Sequence, residues 1–443
     1  MRLGPVNQTA STINTVAIAP VSSKAGRVLS LDLPPPKSYN RKTIRVAKML
    51  RLKHTPNRET GLAIQKTTTP LMRLSQSIVG NQEAAALTEV VLNDGYLGMG
   101  THVGNFEEEI ASFLGVPKEW VICLSSGTAA LQLAVQAVTE PEDEVLVQSL
   151  TFVASYQAIS ATKANPVSCD VNLETITIDL RDAENRLTQK TRAIMPVHYA
   201  SNPGDLDKTY AFAKKHKLRV IDDAAHAFGC TYKGKKIGSF GDIVCFSFDG
   251  IKNITSGEGG AVITEDPEVA RRIRDSRLLG VEKDTEKRLT QDRSWEFDVT
   301  DQGYRYHMSN LFAAIGRVQL KRLPREFSPR RIELAKLYRK YLENAPGVQL
   351  LETELGPIVP HIQPVRILGR KRDGLRLALE SHGIQTGIHY KPNHLLSFYG
   401  GGRESLPVCE QLYKELVSLP LHPGLTDDNV EQVCRVVTDF INA

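Results

Sequence analysis

Three short stretches hold side chains whose types and spacing could do chemistry. In DIVCFSFDGIKNITSGEGGAVIT, residues 242–264, Lys252 follows an apolar run and sits among glycines. A solvated ammonium does not belong there; burial or a neighbouring cation lowers a lysine pKa and frees the amine to form a Schiff base with a carbonyl. Gly257, Gly259 and Gly260 would let backbone pass close to a bound group or adopt positive φ. Glycine–lysine turns also occur in loops of no special chemistry, so Lys252 alone decides nothing.

In RVIDDAAHAFG, Asp223 ends a predicted strand, with Asp222 before it and His226 three residues on. A carboxylate at the C-terminal end of a parallel strand stands where open α/β sheets bind ligands, and it can keep a pyridine nitrogen protonated. Strand alternation points Asp222 to the other face, so only one of the two aspartates can do this. His226 could bond a ring oxygen, although a lone histidine is as readily a satisfied core residue. In CLSSGTAALQLA, Ser125 or Ser126 can cap a helix. The amides of Gly127 and Thr128, with the Thr128 hydroxyl, can then hold a phosphate at the positive end of the dipole. A plain N-cap would look the same. The one ligand that needs a phosphate turn, a strand-end carboxylate and a desolvated lysine together is pyridoxal 5'-phosphate.

Positioning these groups requires a sheet. Strands are expected in EVLVQSL, RAIMPVH, RVIDDA, DIVCFSF and GGAVIT, and helices in SGTAALQLAVQAV from Ser126 and LDKTYAFAKKHK from Leu206. Strands separated by helices of this length imply βαβ units, hence an α/β fold with a mostly parallel central sheet flanked by helices. After Pro267 the pattern shifts to long helices such as SPRRIELAKLYRKYLENA, then short strands near Pro364 to Leu368 and a last helix from about Asp427. This divides the chain into an extension (1–68), a large α/β domain (69–265), and connecting helices with a smaller C-terminal α+β lobe (266–443).

At 443 residues the chain is long for one core, which agrees with that division. Its formal net charge of +5 invites a nucleic-acid partner, but residues 1–68 hold twelve Lys+Arg against two Asp+Glu, and the remainder is net −5. No nucleic-acid module is present, and no apolar run is long enough to cross a membrane. The extension, with a triple proline at Pro34–Pro36 and one amphipathic stretch at Arg41–Lys53, reads as a disordered tail, an organellar leader or sequence upstream of a later start. Six scattered cysteines without a CxxC pair suit a reducing, cytoplasmic setting and no structural metal.

Together the stretches SGTAAL, TFVAS, VIDDAAHAFG, CFSFDGIKNITSGEGG, GYRYHMSNLFAAIGRVQL and SLPLHPGLT, collinear over residues 70–443, resemble the DegT/StrS family of nucleotide-sugar aminotransferases, fold-type I pyridoxal-phosphate enzymes. The resemblance implies that Lys252 is the Schiff-base lysine and the acid/base group. It pairs Asp223 with the pyridine nitrogen, puts His226 near the ring hydroxyl and stacks Phe152 on the ring. Ser247, with Gly127 and Thr128, then binds the phosphate. Where many members read GYNYRM this chain reads GYRYHM, so Arg305 stands where an asparagine reaches the phosphate of a partner subunit; an arginine fork can also bind phosphate. A homodimer with shared sites is therefore expected.

The implied reaction moves an amino group from an amino acid, usually glutamate, to a nucleotide-linked keto-deoxy sugar, in amino-sugar biosynthesis for a surface polysaccharide or a glycosylated metabolite. GEGG after the lysine looks more like members acting at C4 than at C3, and GIHYKPNH offers His389, Tyr390 and His394 as substrate contacts. The competing readings are a sugar dehydratase of the same fold, in which histidine replaces the lysine, and a non-catalytic regulatory member. Lys252 opposes the first; retention of lysine, aspartate and phosphate turn opposes the second.

Overall fold

Short runs of β-branched residues alternating with helical segments build one seven-stranded sheet. The computed structural model describes residues 71–281, 297–299, 301–402 and 404–443; the basic extension lies outside the described residues. In chain order the strands of the first half are β1 (Val121–Leu124), β2 (Glu144–Gln148), β3 (Asn165–Cys169), β4 (Thr191–Met195) and β5 (Arg219–Asp223). They are followed by the two-residue strands β6 (Thr231–Tyr232) and β7 (Lys235–Lys236), then β8 (Ile243–Ser247) and β9 (Gly260–Thr264).

The sheet order is β1-β9-β8-β5-β4-β2-β3. From β3 to β8 every pair is parallel, whereas β9 runs antiparallel to both β8 and β1. The expected five strands are all present, and two more, β1 and β3, complete the edges. β3 carries Pro166, which lacks an N–H for a ladder and so belongs at an edge.

Alternation assigns the two faces. Ile243 and Cys245 of β8 pack with Ile221, Val262 and the Gly127–Val138 helix on one side. Val244 and Phe246 pack on the other with Phe106, Ala313 and Leu320, which belong to the Thr101–Leu114 and Asn310–Arg322 helices. A strand buried on both faces reads as an unbroken apolar run, which is why β8 has no polar residue before Ser247.

The C-terminal strands β10 (Val348–Leu350), β11 (Gln363–Ile367) and β12 (Leu416–Leu419) form a separate antiparallel sheet in that order. Its apolar side, Val365, Ile367 and Val417, packs against Leu334 and Tyr338 of the Ser328–Leu342 helix and Val430, Val433 and Val437 of the Asp427–Asn442 helix. Among the described residues no helix is long and apolar enough to cross a membrane.

Candidate active site

The parallel strands end on a common edge, and their terminal residues reach one cavity of about 290 Å³. β5 delivers Asp223 there. Its carboxylate is buried, with Oδ2 accepting from Ser155 Oγ at 2.7 Å and Oδ1 from the Ala225 amide at 3.2 Å. Burial raises its pKa, while the Ser155 and Ala225 bonds and the charge of Lys252 work in the opposite direction. Asp222 faces away, bonded to His198 Nε2 at 3.1 Å and accepting from Tyr210 Oη at 2.9 Å, and it does not line the cavity. The alternation expected from sequence thus separates the two aspartates.

Lys252 lies on the loop from Phe248 to Gly259 between β8 and β9. That loop is closed at its base by Phe248 N–H to Gly259 O and pinned beside the lysine by Asn253, whose Nδ2 donates to the carbonyls of Phe228 (3.1 Å) and Val359 (3.2 Å). Burial pulls the Lys252 pKa down, partly countered by the carboxylates of Asp223 and Asp249. A free amine is therefore more accessible here than on the surface.

The phosphate end is a close backbone contact. Ser126 caps the Gly127–Val138 helix, its Oγ accepting from Ala129 N–H at 3.1 Å. The amides of Gly127 and Thr128 precede the helix's own bonding pattern. A Cβ on Gly127 would lie 2.7 Å from Ser247 Cβ, and one on Gly260 would lie 2.4 Å from the Ser126 carbonyl oxygen. Both positions must be glycine for β8, β9 and the helix turn to meet. Of the loop glycines, Gly257 takes a positive φ of 84°.

Phe152, Thr128, Ser247, His226 and Glu258 line the same cavity. Phe152 is 54% exposed at the start of the Val153–Ser160 helix, so it can cover a bound ring from the open side. The late segment supplies His389 and Tyr390, with Tyr390 Oη 3.2 Å from His226 Nε2 and His389 Nδ1 2.7 Å from Ser418 Oγ. Burial, and then the charge of Lys252, lowers the His389 pKa to about 4.

Two residues singled out in the sequence stand elsewhere. His394 is fully buried, with Nδ1 2.7 Å from Ser149 Oγ and Nε2 3.5 Å from Glu410; the 3-10 turn Asn393–Leu395 tucks it under the wall, so it is not brought to the cavity. Arg305 is exposed and outside this cavity, on backbone clasped to Leu278. Sequence reasoning missed Ser155 and Asn253 as holding residues. Ser155 closes the TFVAS stretch one helical turn after Thr151, and Asn253 adjoins the lysine; each bonds a group distant in sequence, which no local pattern announces.

The residues present fit pyridoxal 5'-phosphate: a glycine cradle that a Cβ would fill, a desolvated lysine, and a buried carboxylate facing the cavity. Residues 78–438 match the DegT/DnrJ/EryC1/StrS aminotransferase family. The chain is 36% identical over 368 residues to the dTDP-4-dehydro-2,3,6-trideoxy-D-glucose 4-aminotransferase of Saccharopolyspora spinosa, covering 82% of this chain and 95% of that one. It is also 36% identical over 378 residues to the spore coat polysaccharide biosynthesis protein SpsC of Bacillus subtilis, covering 83% and 96%. Among solved structures, a putative sugar aminotransferase from Streptococcus pneumoniae in its PLP form superposes with a TM-score of 0.76 at 27% identity, covering 84% of this chain and 99% of that one.

Proposed function

Because this chain belongs to the DegT/DnrJ/EryC1/StrS aminotransferase family, we propose that it transfers the amino group of glutamate to C4 of a nucleotide-linked keto-deoxy sugar. The observation that carries this reading is the convergence of Lys252, Asp223 and the Gly127 turn on one cavity.

When bound there, pyridoxal 5'-phosphate supplies an electron sink that stabilises negative charge at the carbon being deprotonated. Gly127, Thr128 and Ser247 hold its phosphate, Asp223 its pyridine nitrogen, and Phe152 covers its ring. Lys252 anchors it and then serves as the proton carrier: Nζ accepts the α-proton of the amino acid and later returns a proton to the sugar carbon that receives nitrogen. The exchange balances, since glutamate leaves as 2-oxoglutarate and the keto sugar as the amino sugar. Ser155 positions Asp223, and Asn253 positions the lysine loop.

Amination at C4 is supported by Glu258 of the GEGG stretch on the cavity wall and by the 4-aminotransferase named among the relatives. A role in making a surface polysaccharide or a glycosylated metabolite is supported by the spore coat relative. In a homodimer, Arg305 of each protomer would reach the phosphate in its partner, in keeping with its exposure outside its own cavity.

The test is a panel of UDP-, dTDP- and GDP-linked 4-keto and 3-keto sugars with glutamate, read by mass. An amino product from a 4-keto sugar is expected. Product from 3-keto sugars alone would overturn the C4 assignment, and a wild-type protein that cannot be loaded with the cofactor would overturn the enzyme assignment.

A further inference from the structure

The chain leaving β4 meets the active site repeatedly between Val197 and Ser201. Val197 lines the cavity and pairs with Asp223, and the His198 amide donates to the Asp223 carbonyl at 3.0 Å. Tyr199 then donates from Oη to the carbonyl of His389, 190 residues further along the chain. Ser201 Oγ donates to the carbonyl of His226 at 2.5 Å and accepts from the His361 amide at 3.0 Å. Tyr199 and Ser201 are both buried, and burial pushes the Tyr199 phenol up, so it keeps the proton that it donates.

The backbone of this turn is strained. Ala200 and Ser201 take φ of 51° and 74°, the left-handed region that disfavours residues with a Cβ. Such a conformation persists only where surrounding contacts hold it, and it collects where groups must be aimed. Here the contacts that hold it are those to the cavity wall. The Ser201 hydroxyl is engaged both as donor and as acceptor, and Tyr199 packs among Leu150, Ile362 and Leu406, with Tyr390 against the same cluster.

The turn therefore joins two walls that sheet register alone does not connect. Its start is fixed to Asp223 by strand pairing. Its end holds the backbone of His226 and of His389, which line the cavity from different segments. On its other side the His389 segment is tied to the C-terminal sheet by backbone bonds between Gly387 and Ser418; Tyr199 supplies the tie to the large sheet. Neither Tyr199 nor Ser201 lines the cavity, so each acts through the segment it holds.

We propose that Tyr199 and Ser201 are positioning residues: their hydroxyls clasp the His389 and His226 backbones to the end of β4 and so set the width of the cavity where the keto sugar binds. The clasp rests on the transaminase function proposed for this cavity.

The experiment uses the full chain loaded with pyridoxal 5'-phosphate. Tyr199→Phe and Ser201→Ala each remove one oxygen and leave Lys252, Asp223 and the Gly127 turn in place. Each should raise the sugar KM about tenfold while cofactor affinity, read by fluorescence titration, stays within about twofold of wild type. Loss of stability alone would lower the active fraction, hence the apparent kcat, and leave KM where it is. A KM within about twofold of wild type overturns the positioning role, as does a loss of cofactor affinity as large as the rise in KM.

Ser201→Gly separates aim from strain. Glycine accepts the left-handed φ, so this variant should melt above Ser201→Ala, yet it lacks the hydroxyl and should share the raised KM. Recovery of the wild-type KM in Ser201→Gly overturns the role of the hydroxyl and assigns the effect to the backbone. Because both hydroxyls hold one gap, the KM rise in the Tyr199→Phe/Ser201→Gly double variant should fall short of the product of the single rises; a rise equal to that product or above it overturns the common clasp. A wild type that never binds cofactor or transaminates removes the parent reading and this inference with it, whereas an active wild type with unaffected variants removes this inference alone.

Discussion

At the phosphate end of the cavity, Ser126, Gly127, Ser247 and Gly260 meet through backbone, packed so closely that a Cβ on Gly127 would lie 2.7 Å from Ser247 Cβ. At the opposite wall, His389 and Tyr390 arrive from a segment 164 residues beyond the histidine that Tyr390 touches, and they are held by side-chain bonds to His226 and Ser418. The first region is rigid because sheet register places it: Leu124 pairs with Gly260, and Gly260 with Ser247. The second is positioned by the packing of the C-terminal sheet. Under the proposed function, anchoring chemistry would sit on the strand ends, and contacts able to distinguish ligands would sit on the later segment, which is joined to the C-terminal sheet through Ser418.

Substitutions separate these roles. The largest effect is expected from Lys252→Ala, which should lower kcat on the order of 10⁴-fold and abolish borohydride-trapped cofactor, since under the proposed function it removes both anchor and proton carrier. Next come the neighbouring aspartates. Asp223→Asn should bind cofactor yet lose about 10²–10³-fold in kcat, having lost the charge that holds the pyridine nitrogen protonated. Asp222→Asn should reduce kcat by less than about tenfold while lowering stability by about 1–3 kcal/mol, because His198 and Tyr210 lose a buried charged partner. Steady-state kinetics and denaturant melts distinguish the pair; equal kinetic losses would refute the division of the two faces.

At the rigid end, Gly127→Ala should cost about 1–3 kcal/mol through its collision with Ser247 and weaken cofactor binding measured by fluorescence titration. At the adaptable end, His389→Ala should raise the sugar KM by about tenfold and, by removing the partner of buried Ser418 Oγ, also cost about 1–3 kcal/mol of stability. His394→Ala should cost a similar amount by removing the ring partner of Ser149 Oγ while the KM holds. Matching KM values for the two variants would erase the distinction drawn from their places in the fold.

The smallest effect is a pH dependence of apoprotein stability. The folded-state pKa of Lys252 is lowered by burial, so the folded protein gives up that proton more readily than the unfolded chain, whose lysine titrates near 10.5. Below the lowered pKa, folding must bury the ammonium and stability suffers; the penalty fades as pH rises and is gone above 10.5. Lys252→Met should therefore stabilise the apoprotein at neutral pH, with the gain shrinking on alkalinisation in a series of thermal melts. A gain independent of pH would point to packing instead of charge.

Most of the site's anchoring end was legible in the residues. Lys252 betrayed itself as a charge among glycines, Asp223 by its place at a strand end, and Gly127 and Thr128 by their position after a capping serine. The strands β2, β4, β5, β8 and β9 were legible as apolar runs, whereas β1 and β3, four and five residues long at or near the edges, carried too little pattern. His394 shows where local reading fails. Its place in GIHYKPNH resembles that of His389, yet one faces the cavity and the other is locked beneath it against Ser149.

Sequence by itself determined the chemistry available and the order of its parts, because residue type, helix capping and strand period act over a few neighbouring residues. Tertiary structure alone decided which groups hold the cavity's side chains in place: Ser155 on Asp223, Asn253 beside the lysine, and Tyr390 on His226. Those contacts join residues 68, 25 and 164 positions apart, and only closure of the sheet and docking of the C-terminal segment bring them within hydrogen-bond reach.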